Sequence, residues 1–400
     1  MKSLLVDKSP ERLMAVFAGG PGAVFTDSSH LRYMDIPDSQ APPGWIRIKN
    51  RQSGICGSDL HIIFLDLDPG VHPSILPGDR VIYLGHEVVG NVVEAGPESS
   101  LKPGDRVIRR MRVGGGSCQA HGLSPCSQCS GLDYNHCERN GLPDTVGGGF
   151  SEEFYAPEKG LLKIPDRLTD DQAVLVEPAA VSLRGVLRCP PAGRQQVLVL
   201  GTGTIGFFVL QALRVVCPEC DIVVVAQFDF QRELALGYGA DEVWMADQDL
   251  LDKAAARTGG TVYTGFTGSR TLVGGFDIVF DCVGTADTLQ LCLRLARSRG
   301  SVMLTGASLK PINLDLSPIW YNEVNLLGTA SHCNSLWQGR MVGDFELAIE
   351  WMLAGKIVTD GFITHRFRLD QYREAIMAAV DKKKNSSVKV VFEFSENTSF

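Results

Sequence analysis

The second half of the chain alternates apolar strands with helical stretches, and this pattern limits the folds open to it. Five strand-like segments follow one another between residues 196 and 307, with the sequences QVLVLG, DIVVVAQ, EVWMA, FDIVFDCVG and GSVMLTGA. Continuously apolar runs rich in valine and isoleucine are typical of strands buried on both faces of a parallel sheet. We therefore predict an α/β fold with a doubly wound parallel sheet in this region.

A glycine-rich turn joins the first of these strands to the helix that follows. Gly201, Gly203 and Gly206 have the spacing GxGxxG, with Thr204 and Ile205 between the last two glycines. The first glycine permits a tight turn, the second lets the backbone approach a pyrophosphate at the helix N-terminus, and the third allows close packing of helix and strand. The motif predicts a dinucleotide site. An ordinary tight turn, or a site for another adenine-bearing ligand, stays open.

The residue expected to bind the adenosine ribose leaves the coenzyme undecided. Gln227 stands at the end of the second strand, where a carboxylate would bind the ribose 2′-hydroxyl, and Asp229 follows two residues later. A glutamine neither holds a ribose diol as strongly as a carboxylate nor repels a 2′-phosphate, and Arg232 could help to neutralise such a phosphate. Both NAD and NADP are therefore candidates.

The regions before and after the predicted parallel sheet have different patterns of apolar residues and turns. From about residue 12 to 165, short runs such as WIRIKN, VVGNVVEAG and FSEEFYAP are broken by glycine and proline, which indicates a mostly β domain with many turns. Near the end, we predict a helix from about Asp370 to Lys383 and a final strand VKVVFEF. The 259–275 stretch is expected to be an exposed loop or hairpin, and we assign it no function.

Charge and hydropathy argue against two classes of partner. The net charge is −8, and the only run of like charges is Lys382–Lys384, which we expect to form a solvated helix end. This balance disfavours a nucleic-acid or anionic-membrane surface, since phosphate binding needs clustered lysine and arginine. Eighteen apolar residues never follow one another without a charge, and the first residues lack a signal-peptide pattern. The expected location is the cytoplasm.

Four of the eleven cysteines lie within one short stretch. Cys118, Cys126, Cys129 and Cys137 belong to CQAHGLSPCSQCSGLDYNHC, and thiolates in this number suit a tetrahedral structural zinc. Free cysteines of a reducing compartment are the alternative, with a disulfide less expected. A second CxxC motif, Cys217 to Cys220, has no further ligands nearby in the sequence and is interpreted as a turn.

A second set of metal-type ligands is spread along the chain. Cys56, His86, Glu87 and Glu177 offer one soft and three harder ligands, and such a set can leave zinc an open coordination position, as catalytic sites do. Taken singly, a residue like Cys56 is more often a core thiol than a ligand, and one like His86 more often a buried histidine, so spacing alone leaves this site open.

The motifs in their order resemble the zinc-dependent medium-chain alcohol dehydrogenases, in the branch of polyol, sugar and threonine dehydrogenases. The segments that carry the resemblance span about residues 14 to 393: GICGSDLH, GHEVVGNVVEAG, LKPGDRV, LVEPAAVSLRGV, VLVLGTGTIG and FDCVG. The resemblance implies a β-rich GroES-like catalytic domain at 1–183, a Rossmann domain at 184–334, and a segment 335–400 that returns to the catalytic domain. It also implies a homodimer or homotetramer, and contact of Cys282, Val283 and Gly284 with the coenzyme.

The resemblance assigns roles to the ligands of the catalytic zinc. Cys56 and His86 would bind it, with Glu87 as a ligand or close neighbour, and Glu177 would stand where this branch places a carboxylate that approaches the metal. Ser58 would touch the substrate oxygen. We expect the neighbouring Asp59 to order its turn or support a ligand.

The resemblance also gives a role to His61, and this sequence departs from the family pattern at two places. His61 resembles the histidine that passes the substrate proton to solvent. In the cysteine-rich loop, Leu123 holds the position of the family's first zinc ligand, so Cys118 would have to supply that sulfur from five residues upstream. The segment LDLDPGVHPSILPGD lengthens the approach to His86, and His72 within it is expected to be a surface residue.

These observations predict a zinc-dependent oxidoreductase that moves a hydride between NAD or NADP and an alcohol of polyol, sugar or hydroxy-amino acid type. In such enzymes zinc polarises the substrate oxygen while the nicotinamide accepts the hydride. One alternative is a metal-independent quinone or enoyl reductase of the same fold that uses NADPH. The other is a dinucleotide-binding protein without catalysis.

Overall fold

The computed structural model describes residues 1–37, 42–68, 81–110, 118, 122–130, 136–138, 145–247, 249–307, 309–329 and 331–394. The chain divides into two compact units, one formed by Met1–Glu177 with Thr359–Phe400 and the other by Pro178–Val358. Strands and helices are numbered in chain order below. Within the described ranges, every helix is too short or too polar to cross a lipid bilayer.

The first unit is mostly β structure. Its strands are β1 Lys2–Asp7, β2 Leu31–Asp35, β3 Ile46–Gly54, β4 Val81–Tyr83, β5 Glu87–Glu94, β6 Arg106–Arg109, β7 Glu153–Ala156, β8 Leu161–Lys163, β19 Ile363–Phe367 and β20 Lys389–Glu393. Its helices are α1 Pro10–Gly19, α2 Gly57–Ile63, α3 Ser127–Ser130, α4 Asp170–Ala173, α12 Tyr372–Val380 and α13 Lys382–Asn385. Helix α5, Val176–Arg188, begins at the end of this unit.

Strand β3 organises the larger sheet of the first unit. This sheet has the order β19-β20-β3-β5-β6-β8, and β7 pairs with the first half of β3 while β20 pairs with its second half. Apolar residues alternate along β3 and β5 and bury one face against Phe154 and Leu161. Strands β2, β1 and β4 form a separate antiparallel sheet. The mostly β domain predicted from the turn-rich sequence is confirmed.

The second unit contains the predicted parallel sheet. Its strands are β9 Gln196–Leu200, β10 Asp221–Ala226, β11 Glu242–Met245, β12 Thr261–Thr264, β13 Arg270–Val273, β14 Phe276–Asp281, β15 Ala296–Leu304, β16 Asn325–Gly328, β17 Asn334–Trp337 and β18 Arg340–Gly343. Its further helices are α6 Thr204–Val216, α7 Asp229–Gly237, α8 Leu250–Thr258, α9 Ala286–Leu295, α10 Ser317–Tyr321 and α11 Asp344–Leu353. The 259–275 stretch forms the hairpin β12–β13, as expected.

The order of the parallel strands creates the place where a ligand can bind. The sheet runs β11-β10-β9-β14-β15-β16, so the chain turns outward in both directions from the adjacent strands β9 and β14. Ligands of open α/β sheets bind at such a switch point, beyond the carboxyl ends of the strands. The prediction of a doubly wound sheet is therefore confirmed, and the GxGxxG turn lies at its switch point.

The boundaries between the two compact units lie at residues 177/178 and 358/359. The sequence had placed these boundaries at 183/184 and 334/335. Residues 335–358 stay in the second unit, where polar contacts tie this part of the chain to the helices of that unit. Arg184 of α5 donates to the Asn334 carbonyl at 3.2 Å and lies 3.5 Å from Asp344 of α11. The Gln211 side chain of α6 exchanges two hydrogen bonds with the backbone of Val358, at 3.0 and 2.7 Å.

Candidate metal centres and dinucleotide site

The ends of two paired strands bring the first metal-type ligands together. Strand β3 ends at Gly54, Cys56 is the N-cap residue of α2, and His86 directly precedes β5. The antiparallel register of β3 and β5 places Gly54 opposite Glu87. As a result, one ligand atom each from Cys56, His86 and Glu87 lies within 4.8 Å of the other two.

Asp59 holds two of these ligands in place. Its carboxylate is buried and accepts hydrogen bonds from the Cys56 backbone N–H at 3.0 Å and the Gly85 N–H at 3.2 Å. The His86 Nδ1 atom lies 3.6 Å from Asp59 Oδ1, which makes Nε2 the ring nitrogen available to a metal. The expectation that Asp59 orders its turn and supports a ligand agrees with this geometry.

The acidic groups around His86 favour binding of a cation. Burial opposes ionisation of His86, but the charges of Asp59 and Cys56 raise its pKa well above the ordinary value. Burial would raise the pKa of Asp59, yet His86 and two backbone N–H groups bring it below the usual range. A proton on His86 thus balances negative charge that a divalent cation would balance in its place.

Sequence reasoning missed Lys389, which forms a buried ion pair with Glu87. The Lys389 Nζ atom donates to both Glu87 carboxylate oxygens, at 2.8 and 2.7 Å, and to the Ile55 carbonyl at 3.1 Å. The relative exposure is 4% for Lys389 and 1% for Glu87. Gly54 makes room for this carboxylate, because a Cβ atom at that position would collide with Glu87 Oε2.

Glu177 lies within electrostatic reach of this cluster but outside the three-residue group. It stands in the first turn of α5, and burial raises the pKa of its carboxyl to about 7. His86 and Lys389 act to lower that pKa, while Glu87 acts to raise it. Glu177 therefore adds an acidic group within electrostatic range of His86, Glu87 and Lys389.

The two predicted proton carriers lie on the same helix. Ser58 and His61 belong to α2, and His61 is partly exposed. The His61 Nδ1 atom lies 3.1 Å from both the carbonyl oxygen and the Oδ2 atom of Asp66. Asp66 was not identified from the sequence, and it can orient the imidazole.

The donor set at Cys56 fits zinc. A thiolate, an imidazole nitrogen and a carboxylate are ligands that zinc accepts, and three protein ligands leave a fourth position for water or substrate. Lys389 leaves the remaining lone pairs of the Glu87 oxygens for a metal, because each oxygen accepts only one hydrogen bond from it.

The four clustered cysteines also converge. The sulfur atoms of Cys118, Cys126, Cys129 and Cys137 all lie within 4.8 Å of one another, with 3.6 Å between Cys118 and Cys137, and all four are free thiols. Backbone N–H groups lower the pKa of Cys126 to about 6, and burial raises that of Cys129 to about 12. The structure thus brings the displaced Cys118 into the group, whereas Leu123 is exposed.

Two other sequence interpretations concern cysteine and histidine residues elsewhere. Cys217 caps the end of α6, and its thiol donates to the Gly193 carbonyl at 3.1 Å, in agreement with a turn at CPEC. Within the described ranges, neither Cys217 nor Cys220 belongs to a metal-type group. His72 lies outside the described residues.

The glycine-rich turn has the geometry expected of a dinucleotide site. Gly201 has φ +102°, a region open mainly to glycine, and a Cβ atom at Gly206 would collide with the Gly201 carbonyl. Gly203 is the N-cap residue of α6, whose first residues are Thr204 and Ile205. The N–H groups of a helix N-terminus are suited to a pyrophosphate.

The loop after β14 lies beside this turn. The Cys282 N–H donates to the Leu200 carbonyl at 2.9 Å, and a Cβ atom at Gly201 would meet the Val283 side chain. Buried Asp281 fixes the loop by accepting hydrogen bonds from the N–H groups of Val283 and Gly284, at 2.9 and 3.0 Å. Cys282, Val283 and Gly284 are therefore placed at the switch point of the sheet.

The loop at Gln227, where the sequence predicts the ribose to bind, is fixed by Gln231, which the sequence analysis did not identify. Its side-chain oxygen accepts hydrogen bonds from Thr202 Oγ1 at 2.8 Å and from the N–H groups of Gln227 and Phe228. Gln227 is exposed directly after β10, and Arg232 is exposed on α7. The arrangement leaves the side chains of Gln227 and Arg232 at the surface beside this loop.

Comparison with known proteins identifies the family. Family models described as "Alcohol dehydrogenase GroES-like domain" and "Zinc-binding dehydrogenase" match residues 42–166 and 204–352, which together make up more than half of the chain. The predicted combination of a GroES-like domain with a Rossmann domain is thereby confirmed.

Individual relatives agree with these family matches. L-idonate 5-dehydrogenase of Vitis vinifera is 27% identical over 87% of this chain and 87% of its own length. Sorbitol dehydrogenase of Arabidopsis thaliana is 26% identical over 88% of both chains. A zinc-binding dehydrogenase structure from Sinorhizobium meliloti, bound to NADP, is 25% identical over 91% of this chain and 95% of its own, with a TM-score of 0.68. The chain belongs to the zinc-type medium-chain alcohol dehydrogenase family, in its polyol branch.

Proposed function

We propose that the chain is a zinc-dependent dehydrogenase that transfers a hydride between NAD or NADP and an alcohol of polyol, sugar or hydroxy-amino acid type. The observation that carries the proposal is the convergence of Cys56, His86 and Glu87, supported by Asp59 and Lys389. A structural role alone does not require a thiol, an imidazole and a buried carboxylate within one metal-sized space. The names of the relatives support an alcohol as substrate.

The residues of the chain have distinct tasks in this proposal. Zinc held by Cys56, His86 and Glu87 would act as a Lewis acid toward the substrate oxygen, and the nicotinamide would accept the hydride. Asp59 keeps the His86 ring oriented, while Lys389 balances the charge of Glu87. The Ser58 hydroxyl would take the proton from the substrate oxygen, and His61, positioned by Asp66, would pass that proton to solvent.

Turnover in a coenzyme and substrate screen tests this function. We expect the zinc-loaded enzyme to reduce NAD or NADP, followed by nicotinamide absorbance, with at least one substrate among simple alcohols, polyols, aldoses and hydroxy-amino acids. Removal of the metal should abolish this turnover, and added zinc should restore it. Reduction of a quinone or an enoyl compound by metal-free enzyme would instead favour the metal-independent reductase, and coenzyme binding without any turnover would favour the non-catalytic protein.

We also propose that the four clustered cysteines hold a structural zinc. Replacing Cys129 with serine should lower the zinc content from about two ions per chain to about one, because a tetrahedral site loses one of its four thiolates. The melting temperature should fall, since the site closes a loop. Metal analysis of the purified variant measures the effect. Cys220→Ser, which removes another buried thiol of a CxxC motif, is the matched control and should retain both ions.

We propose a cytoplasmic location for the protein. All eleven cysteines are free thiols, which is typical of a reducing compartment such as the cytoplasm. We further propose, from the family resemblance, that the enzyme assembles as a homodimer or homotetramer.

A further inference from the structure

The two loops predicted to hold the coenzyme follow adjacent strands of the parallel sheet. Leu200 of β9 lies beside Val225 of β10, so both strands end at the same edge, and the Gly201 N–H donates to the Val225 carbonyl at 3.1 Å. The glycine-rich turn continues from β9, and the loop at Gln227 continues from β10. A dinucleotide at the switch point contacts the first loop with its pyrophosphate and the second with its adenosine ribose. Binding therefore requires both loops in one mutual arrangement.

One buried side-chain oxygen joins these two loops. The Oε1 atom of Gln231 accepts a hydrogen bond from Thr202 Oγ1, in the glycine-rich turn, at 2.8 Å. The same oxygen accepts hydrogen bonds from the N–H groups of Gln227 and Phe228, at 3.2 and 3.1 Å. The relative exposure is 4% for Gln231 and 3% for Thr202. The two backbone N–H groups can only donate, so the atom that joins the loops is the carbonyl oxygen of the amide and not its nitrogen.

Helix capping accounts for only one of these three contacts. Phe228 is the N-cap residue of α7 and Gln231 is the third residue of that helix, from which a side chain commonly reaches back to the N-cap N–H. Capping does not require the bond to the Gln227 N–H. It also does not require the bond to Thr202, which lies 29 positions earlier in the chain, between β9 and α6. The side chain of Gln231 therefore does more than begin its own helix.

We infer that Gln231 is a positioning residue of the coenzyme site, which holds the glycine-rich turn and the loop at Gln227 in the arrangement that the dinucleotide requires. This inference rests on the dinucleotide-binding part of the proposed function and does not depend on zinc. Gln231 acts through the two loops and not by touching the coenzyme. A site that is already ordered binds more tightly, because the coenzyme does not have to order the loops itself.

Gln231→Met tests this role, because it removes the acceptor and keeps a side chain of similar length. If the loops then adopt the binding arrangement only about a tenth of the time, the dissociation constants of NADH and NADPH rise about tenfold. The KM for the coenzyme should rise by a similar factor, with kcat within about twofold of wild type, since the bound arrangement is the same. The zinc content should not change. Titration of each reduced coenzyme, followed by its fluorescence, measures the dissociation constants.

Gln211→Met is the matched control for general destabilisation. Gln211 is also 4% exposed, lies on a helix of the same unit, and exchanges two hydrogen bonds with the backbone of Val358. This variant should lower the melting temperature and leave the affinity for coenzyme unchanged. An equal loss of affinity in Gln211→Met and Gln231→Met would overturn the inference, because the effect would then come from the loss of stability.

A double-mutant cycle tests the link between the loops and provides a milder variant. Thr202→Val removes the donor at nearly constant shape and should weaken coenzyme binding about threefold, as expected for one hydrogen bond. If both residues act through their shared bond, Thr202→Val combined with Gln231→Met should bind coenzyme as Gln231→Met does alone. A double variant in which the two single effects multiply, or unchanged affinity in Thr202→Val, would contradict the link.

The coenzyme titration also separates failure of this inference from failure of the proposed function. Wild-type protein that binds neither NADH nor NADPH would contradict the proposed function, and this inference with it. Binding by the wild type together with unchanged affinity in Gln231→Met would contradict the positioning role alone.

Discussion

Replacing Cys56 with serine is expected to lower kcat/KM by at least about three orders of magnitude while leaving the fold intact. A serine hydroxyl is a much poorer zinc ligand than a thiolate, and loss of the Lewis acid removes several kcal/mol of transition-state stabilisation, at about 1.4 kcal/mol per tenfold in rate. The fold should persist because Cys56 is the N-cap residue of α2, and serine is among the preferred residues at that position. His86→Ala should reduce activity to a similar extent.

Metal content distinguishes this result from general damage to the protein. Cys56→Ser should retain the zinc held by the cysteine cluster, so metal analysis should give about one ion per chain, with little change in the melting temperature. Cys189→Ser, which alters a buried thiol in the second unit, is the matched control and should keep both metal and activity. Full activity of Cys56→Ser, or of protein stripped of metal, would rule out zinc-dependent catalysis.

The features that sequence predicted well are those set by neighbouring residues. The Val- and Ile-rich strands and the GxGxxG turn are local patterns, and the structure shows a parallel sheet with that turn at its switch point. The positive φ of Gly201 and the contact between Gly201 and Gly206 show why glycine is needed there. A family motif identified the metal-type ligands Cys56, His86 and Glu87. The pairing of β3 with β5 explains how these side chains come together.

The features that sequence did not predict depend on distant segments. Lys389 reaches Glu87 only because β20 pairs with the second half of β3, and no local pattern distinguishes it from other lysines. A break at Asp381 divides what had been predicted as one continuous helix into α12 and α13, with Lys383 and Lys384 exposed and Lys382 partly buried. Gln231 was overlooked because its role is to fix the loop at Gln227 through hydrogen bonds.

Removing one partner of the buried Glu87–Lys389 pair should strongly destabilise the metal-free protein. Lys389→Met leaves the Glu87 carboxylate buried without its cation, which should lower the free energy of unfolding by about 3–5 kcal/mol. The loss should be smaller with zinc bound, because the metal supplies positive charge to the same carboxylate. Urea unfolding of metal-free and zinc-loaded protein, for wild type and variant, measures both values.

Two variants show whether this loss comes from an uncompensated charge. Glu87→Gln combined with Lys389→Met removes both charges, so much of the lost stability should return, since a neutral amide is less costly to bury than a carboxylate. Lys163→Met breaks an exposed ion pair with Asp105, 2.6 Å long, and should cost about 1 kcal/mol or less. If Lys389→Met costs no more than Lys163→Met in metal-free protein, the Glu87 carboxylate is neutralised by another group, and Lys389 is not the residue that permits a carboxylate to be buried beside Cys56 and His86.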